Sequence, residues 1–231
     1  MRKIFLASLV LGATGVLQAA TINLNTGQTA NGGVIQTFSD KVWTINGAPA
    51  GSGINQTGAA FIEINSYPRG NATNNLWETA GLPPSSVANY ISAGDCGRNN
   101  YTATCLPGTF SFTTQFIVNS GAGLSLNYQI AGDNAVALYL NGVLLLSRGD
   151  PTGSNGTGWA TFNSLATATS GFNIGGVNTL ELRVTNADIF TGGMLVGAVT
   201  GDVSPTPEPA TYGLISGVLL GLGLLKRRTA Y

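Results

Sequence analysis

The sequence predicts an all-β protein, an antiparallel two-sheet β-sandwich, on three observations. Apolar and polar residues alternate in runs too short for a helix. Gly, Asn and Thr punctuate those runs where turns would fall. No stretch of the body carries an apolar stripe at helical spacing.

The clearest elements lie in the second half. Phe110, Phe112, Phe116 and Val118 alternate with Ser111, Thr113, Gln115 and Ile117. Leu124, Leu126, Tyr128 and Ile130 alternate in the same way with Ser125, Asn127 and Gln129. Period two gives each strand one buried and one wet face. Residues 135–140 and 143–148 follow, separated by Asn141-Gly142, the pair preferred in a type I′ hairpin turn. Residues 159–162, 171–174, 179–185 and 194–200 read as further strands, and 21–24, 34–38, 41–45 and 61–65 as shorter ones near the start. Trp43 and Trp159 fall inside such strands and read as core.

Residues 66–107 break this rhythm with Tyr67, Arg69, Trp77, Tyr90, Tyr101, four prolines and two cysteines. Forty structureless residues are out of place in a compact domain, so a short strand or helix is expected around Trp77 or 87–91. Cys96 and Cys105 are the only cysteines. An even count outside the cytoplasm suggests one disulfide, stabilising its small loop by roughly 2.5 kcal/mol. A redox role lacks the two-residue spacing such sites use.

Gly132-Asp133-Asn134 precedes one strand, Asn141-Gly142 makes a turn, 176–180 (Gly-Val-Asn-Thr-Leu) opens a strand that Asn186 closes, and Gly192-Gly193 introduces the last one. Over residues 110–200 this series resembles the galactose-binding-like jelly-roll bodies, which implies a jelly-roll form of the sandwich and says little about function.

Both ends read as targeting segments. Arg2 and Lys3 precede an apolar run over 4–17 and the small pair Ala19-Ala20, the pattern of a secretory signal peptide over 1–20. The sandwich body then spans 21–203. The segment 204–231 holds Pro207, Glu208 and Pro209, an apolar stretch over 211–225, and Lys226, Arg227 and Arg228. Basic residues flanking apolar spans stay on the cytoplasmic side, which places the body outside. As a helix the stretch 211–225 would reach about 22 Å, short of a hydrocarbon core of roughly 30 Å. Two readings are open: a single-pass transmembrane anchor, or a transient one cut near the prolines. This tail resembles the PEP-CTERM sorting signal of bacteria. The resemblance implies processing by an exosortase-type membrane enzyme, deployment at the cell surface or outside the cell, and an association with exopolysaccharide and biofilm.

Composition excludes several chemistries. Between residues 21 and 204, five basic residues stand against nine acidic ones, a net −4, with no basic patch for nucleic acid. The chain has no histidine, which removes serine triads, histidine bases and His-ligated zinc. No cofactor is implied. A carboxylate pair remains open to a hydrolase through Glu63, Glu78 or Glu181, though nothing brings two of them to one cleft, and Glu181 reads as an outward strand residue beside Arg183.

Two binding chemistries are open. Trp77, with Tyr67, Arg69 and Tyr101 in the long loop, offers the aromatic faces and planar polar groups that a sugar ring needs. Asp133 and Asp188 offer hard oxygen ligands for a structural calcium, without the dense spacing such sites use. Asp133-Asn134 reads more simply as a turn cap. The sequence therefore leads to a non-catalytic exported protein. A carbohydrate-binding module with its sugar site in the long loop is the alternative, and a carboxylate-dependent hydrolase a distant third.

Overall fold

A computed structural model of the protein describes residues 19–29, 31, 39–47, 58–63, 88, 90–93, 107–150, 162–187 and 192–205, with Lys41, Phe61, Ile62, Glu63, Tyr90 and Asp133 described by backbone alone. The chain forms β1 (Ala20–Asn23), β2 (Ser39–Gly47), β3 (Gly58–Glu63), β4 (Tyr90–Ser92), β5 (Gly108–Val118) and β6 (Ser125–Asp133). It continues with β7 (Ala135–Leu140), β8 (Val143–Gly149), β9 (Ala166–Ala168), β10 (Gly176–Asn186), β11 (Gly192–Gly201) and β12 (Val203–Pro205). No helix occurs among the described residues.

Every pairing is antiparallel. The ladder runs β8-β7-β10-β5-β2-β3-β4-β11-β6-β9, with β12 also on β5 and β1 also on β11. It folds back on itself, so that β7 and β10 face β6 and β11 as two layers of a sandwich. The closeness of that approach is visible at Gly193 on β11, where a Cβ would stand 2.5 Å from Val184 Cγ2 and 2.9 Å from Leu182 Cδ2 of β10. Only glycine lets the layers meet there.

The alternation predicted for β5 and β10 is what fills the core. Phe110, Phe112, Phe116 and Val118 on β5 and Leu180, Leu182 and Val184 on β10 point inward and are buried. From the facing layer come Leu126, Ile130, Leu195 and Val199. Trp43 is fully buried, as its strand position implies, and its indole Nε1–H donates to the Leu24 carbonyl at 3.0 Å. That bond satisfies the one polar atom of an otherwise apolar side chain.

The first turn of the chain is held by side chains acting as backbone. Gly197 N donates to Asn25 Oδ1 at 2.8 Å and Leu195 N to Thr26 Oγ1 at 3.2 Å, which extends the β1–β11 ladder past the end of β1. Asp40, buried, accepts from the amides of Gly27 (2.7 Å), Val42 (2.7 Å) and Trp43 (2.9 Å). A buried carboxylate is tolerated when several N–H groups replace its water in this way.

One expected strand is absent. Residues 171–174 form a turn leading into β10, and the neighbouring short strand is β9, at 166–168. Gly171 and Gly175 take φ of +87° and +75°, outside the strand region. Asn173 N donates to Asn178 Oδ1 at 2.7 Å, closing the turn. Of the short strand or helix expected around Trp77 or 87–91, a strand is present as β4, and the strand expected at 61–65 lies earlier, as β3. The strand predicted at 34–38 lies outside the described residues, as do residues 1–18 and 206–231 of the two terminal segments; the sheet itself takes in Ala20 and runs to Pro205.

Candidate functional site

The outward face of the layer β8-β7-β10-β5 carries the chemistry. Because inward positions on β10 are apolar, the alternate residues Glu181, Arg183 and Thr185 face out. The register sets their neighbours. Arg183 lies between Ser111 of β5 and Ala137 of β7, Thr185 between Thr109 and Ala135, and Glu181 between Thr113 and Tyr139. Ser147 of β8 pairs with Ala137, on the same face.

Ala135 and Ala137 are small, and larger groups stand around them. The result is an open groove of about 430 Å³, lined by Tyr139, Arg183, Thr185 and Thr109, by Ser147, Arg148 and Gly149, and by Ala135, Val136 and Ala137. Among the described residues no carboxylate lines it.

Arg183 is held in a fixed plane. Its Nε and Nη2 donate to Glu181 Oε1 and Oε2 at 2.8 and 3.0 Å, a two-point fork. Ser111 Oγ also donates to Glu181 Oε1, at 2.8 Å. The guanidinium carbon sits 4.1 Å from the centre of the Tyr139 ring, a cation–π contact. Burial would raise the Glu181 carboxyl, but the Arg183 hydrogen bond, the Ser111 hydroxyl and the Arg183 charge outweigh it and hold the group below its ordinary pKa. The same fork raises the Arg183 pKa, keeping it cationic. Its Nη1 is not used by Glu181. At the far end Thr109 and Thr185 hydroxyls meet at 3.1 Å. Arg148 pairs with the buried Val136, so its side chain leaves from the inner face, where Nη1 donates to the Ile130 carbonyl of β6 at 3.3 Å.

The arrangement offers the hydroxyls of Thr109, Thr185 and Ser147 beside an Arg183 whose charge Glu181 offsets. Among the described residues no carboxylate lines the groove, and the neighbouring Glu181 is already forked by Arg183 and bonded by Ser111.

Trp77, Tyr67, Arg69, Tyr101, Cys96, Cys105, Asp188 and Trp159 lie outside the described residues, as do Pro207, Glu208, Pro209, Lys226, Arg227 and Arg228. Of Asp133 only the backbone is described, paired with Gly192. Its neighbour Asn134 does not cap its own turn but ties the β6–β7 corner to the end of β10: Oδ1 accepts from Ala187 N at 2.6 Å and its own N–H donates to the Thr185 carbonyl at 2.9 Å. Among the described residues no three metal-ligating carboxylates or thiolates come together. Glu181 does lie beside Arg183, outward, as its strand position implies.

Sequence reasoning missed the groove. Ser147 and Arg183 are far apart in the chain, and only the β8-β7-β10 pairing brings them to one face.

No protein-family model matches the chain, and no curated protein does. Among solved structures it is similar to the β-glucuronidase of Ruminococcus gnavus, in one structure at 13% identity with a TM-score of 0.40, covering 79% of this chain and 28% of that one. In another the identity is 11% and the TM-score 0.38, with 79% and 29% covered. The chain thus spans less than a third of the length of these enzymes. Likeness of this degree carries neither activity nor substrate across.

Proposed function

We propose that the protein is an exported, non-catalytic component of the cell surface or extracellular matrix, built as a jelly-roll sandwich and working on extracellular polysaccharide. In this reading the signal peptide delivers the body across the inner membrane, and an exosortase-type enzyme processes the tail near Pro207-Glu208-Pro209. The missing histidine and the two apolar ends support it. Among the described residues, the observation that supports the non-catalytic reading is the state of Asp40, Glu181 and Asp202, while the side chains of Glu63 and Glu78 lie outside the described residues. Asp40 is saturated by three backbone amides, Glu181 by Arg183 and Ser111, and Asp202 Oδ1 accepts from Asn119 Nδ2 at 3.0 Å in the link between β11 and β12. A glycosidase needs two carboxyl groups facing one bond across a gap of roughly 5–10 Å. These three serve separate parts of the fold.

The test is to incubate the purified protein with exopolysaccharide from its host. Retention on the polymer without release of reducing ends is the expected result. Release of reducing ends that disappears in Glu181→Gln would overturn the reading.

A further inference from the structure

We propose that one end of the sandwich is a membrane-facing surface: Val143, Leu144, Ile174 and Val177 rest in the headgroup–acyl boundary of a phospholipid bilayer while the tail anchors the precursor. The proposal rests on the export and sorting reading above and adds how the body sits at that stage.

Exposed apolar side chains are gathered at this end. Among the described residues five large hydrophobics are exposed, and four of them are Val143 (59%), Leu144 (51%), Ile174 (55%) and Val177 (47%). Val143 and Leu144 follow the β7–β8 turn, whose Asn141 donates to the Gly171 carbonyl and to Asn178 Oδ1. Ile174 lies in the turn held by those bonds, and Val177 opposes Ile117 where β10 starts and β5 ends. Single exposed apolar residues are ordinary on a protein surface; four brought to one end mark a contact.

Both apolar segments of the sequence join the body at the same end. β1 starts at Ala20, paired with Gly201. The link from Gly201 into β12 meets the end of β5, where Asn119 N donates to the Asp202 carbonyl at 2.8 Å and Val203 pairs with Val118. Reach then decides which end can meet a membrane. Pro205 pairs with Phe116, two residues from the Val118 end of β5 and eight from its Gly108 end. At strand rise these are about 7 Å and about 27 Å. The apolar stretch begins at Thr211, six residues on, so the link spans at most about 20 Å. That covers the near end and falls short of the far one.

Charge agrees. In the connections at this end, 119–124, 141–142, 169–175 and 201–202, the one charged residue is Asp202, and its Oδ1 accepts from Asn119 Nδ2 at 3.0 Å. At the far end Asp133 closes β6 and Asp150 follows β8. Anionic headgroups repel that end. With no Lys or Arg on the near end, its contact with lipid is apolar.

The experiment uses the full chain in phosphatidylcholine vesicles that carry a photoactivatable phosphatidylcholine with its diazirine close to the headgroup. The vesicles are floated and irradiated, and adducts are mapped by peptide mass spectrometry. The expected result is a chain that floats, with lipid adducts on 141–145 and 172–177 and none on 133–136 or 147–150. In the double variant Val143→Asp, Ile174→Asp the chain is expected to float by its apolar ends and to lose those adducts. Circular dichroism shows whether the variant is folded, and Ile174→Asp alone serves if it is not. A floating chain labelled alike at both ends or at neither would overturn the proposal and leave export and sorting standing, as would cross-links to a second copy in place of lipid adducts. A chain that does not float would overturn both.

Discussion

Asn141 Nδ2 donates to Asn178 Oδ1 at 2.8 Å, joining the β7–β8 turn to the start of β10, 37 residues away. Asn178 is fully buried and has all its amide positions used: Oδ1 also accepts from Asn173 N at 2.7 Å, and Nδ2 donates to the carbonyls of Asn173 and Gly176 at 3.0 and 3.1 Å. Asn141 in turn donates to the Gly171 carbonyl and accepts from Thr179 N, each at 2.9 Å. Two turns that look independent in the sequence are one unit.

Breaking that unit at its centre is costly. Asn178→Ala removes the partner of the Asn173 amide and of the Gly176 carbonyl, both water-accessible, at about 0.5–1.5 kcal/mol for each bond lost. Urea unfolding of Asn178→Ala, Asn141→Ala and the double variant is expected to show a coupling of about 1 kcal/mol or more between the two positions. Additive losses would mean that the turns are separate.

The contact between layers gives a second test. Gly193→Ala forces a methyl group against Val184 and Leu182 on the facing strand, both fully buried and unable to retreat. The expected loss is about 1–3 kcal/mol, read as a lower urea midpoint. Repacking through Val184→Ala in the same chain is expected to recover part of it. A neutral Gly193→Ala would place the layers further apart than described.

The groove itself carries a pH signature. The Glu181 carboxyl is held below its ordinary pKa, so the folded state binds its proton less readily than the unfolded chain does. Stability from this source is present above the unfolded pKa and is lost as pH falls through the folded one. Wild type is therefore expected to lose its advantage over Glu181→Gln on acidification from about pH 6 to about pH 3. Because the Arg183 side chain is 42% exposed, solvent screens the pair and the effect is small. A stability difference that does not change with pH would contradict the fork.

How far the sequence could be read follows from what signals each element. β5, β6 and β10 were legible because bulky residues alternate over nine to eleven positions. The β7–β8 turn was legible because Asn141-Gly142 has one preferred geometry, and Asn141 and Gly142 do take φ of +51° and +81°. Residues 171–174 misled because Phe172 and Ile174 alternate like a strand, while the residue that bends them, Asn178, lies further along the chain. β9 is Ala-Thr-Ala, with no bulky side chain to announce it. The groove was illegible for a different reason. It depends on the register that brings Ala137 between Arg183 and Ser147, and register across three strands is a property of the folded sheet.

The measurement that bears most directly on the account as a whole is the intact mass of the protein recovered from its native host. Export and sorting require a mature chain that lacks the residues before about position 20 and those after the Pro207-Glu208-Pro209 segment, recovered from the envelope or the medium. A full-length polypeptide in the cytosol, with both apolar ends intact and the Cys96 and Cys105 thiols free to alkylation, would contradict it.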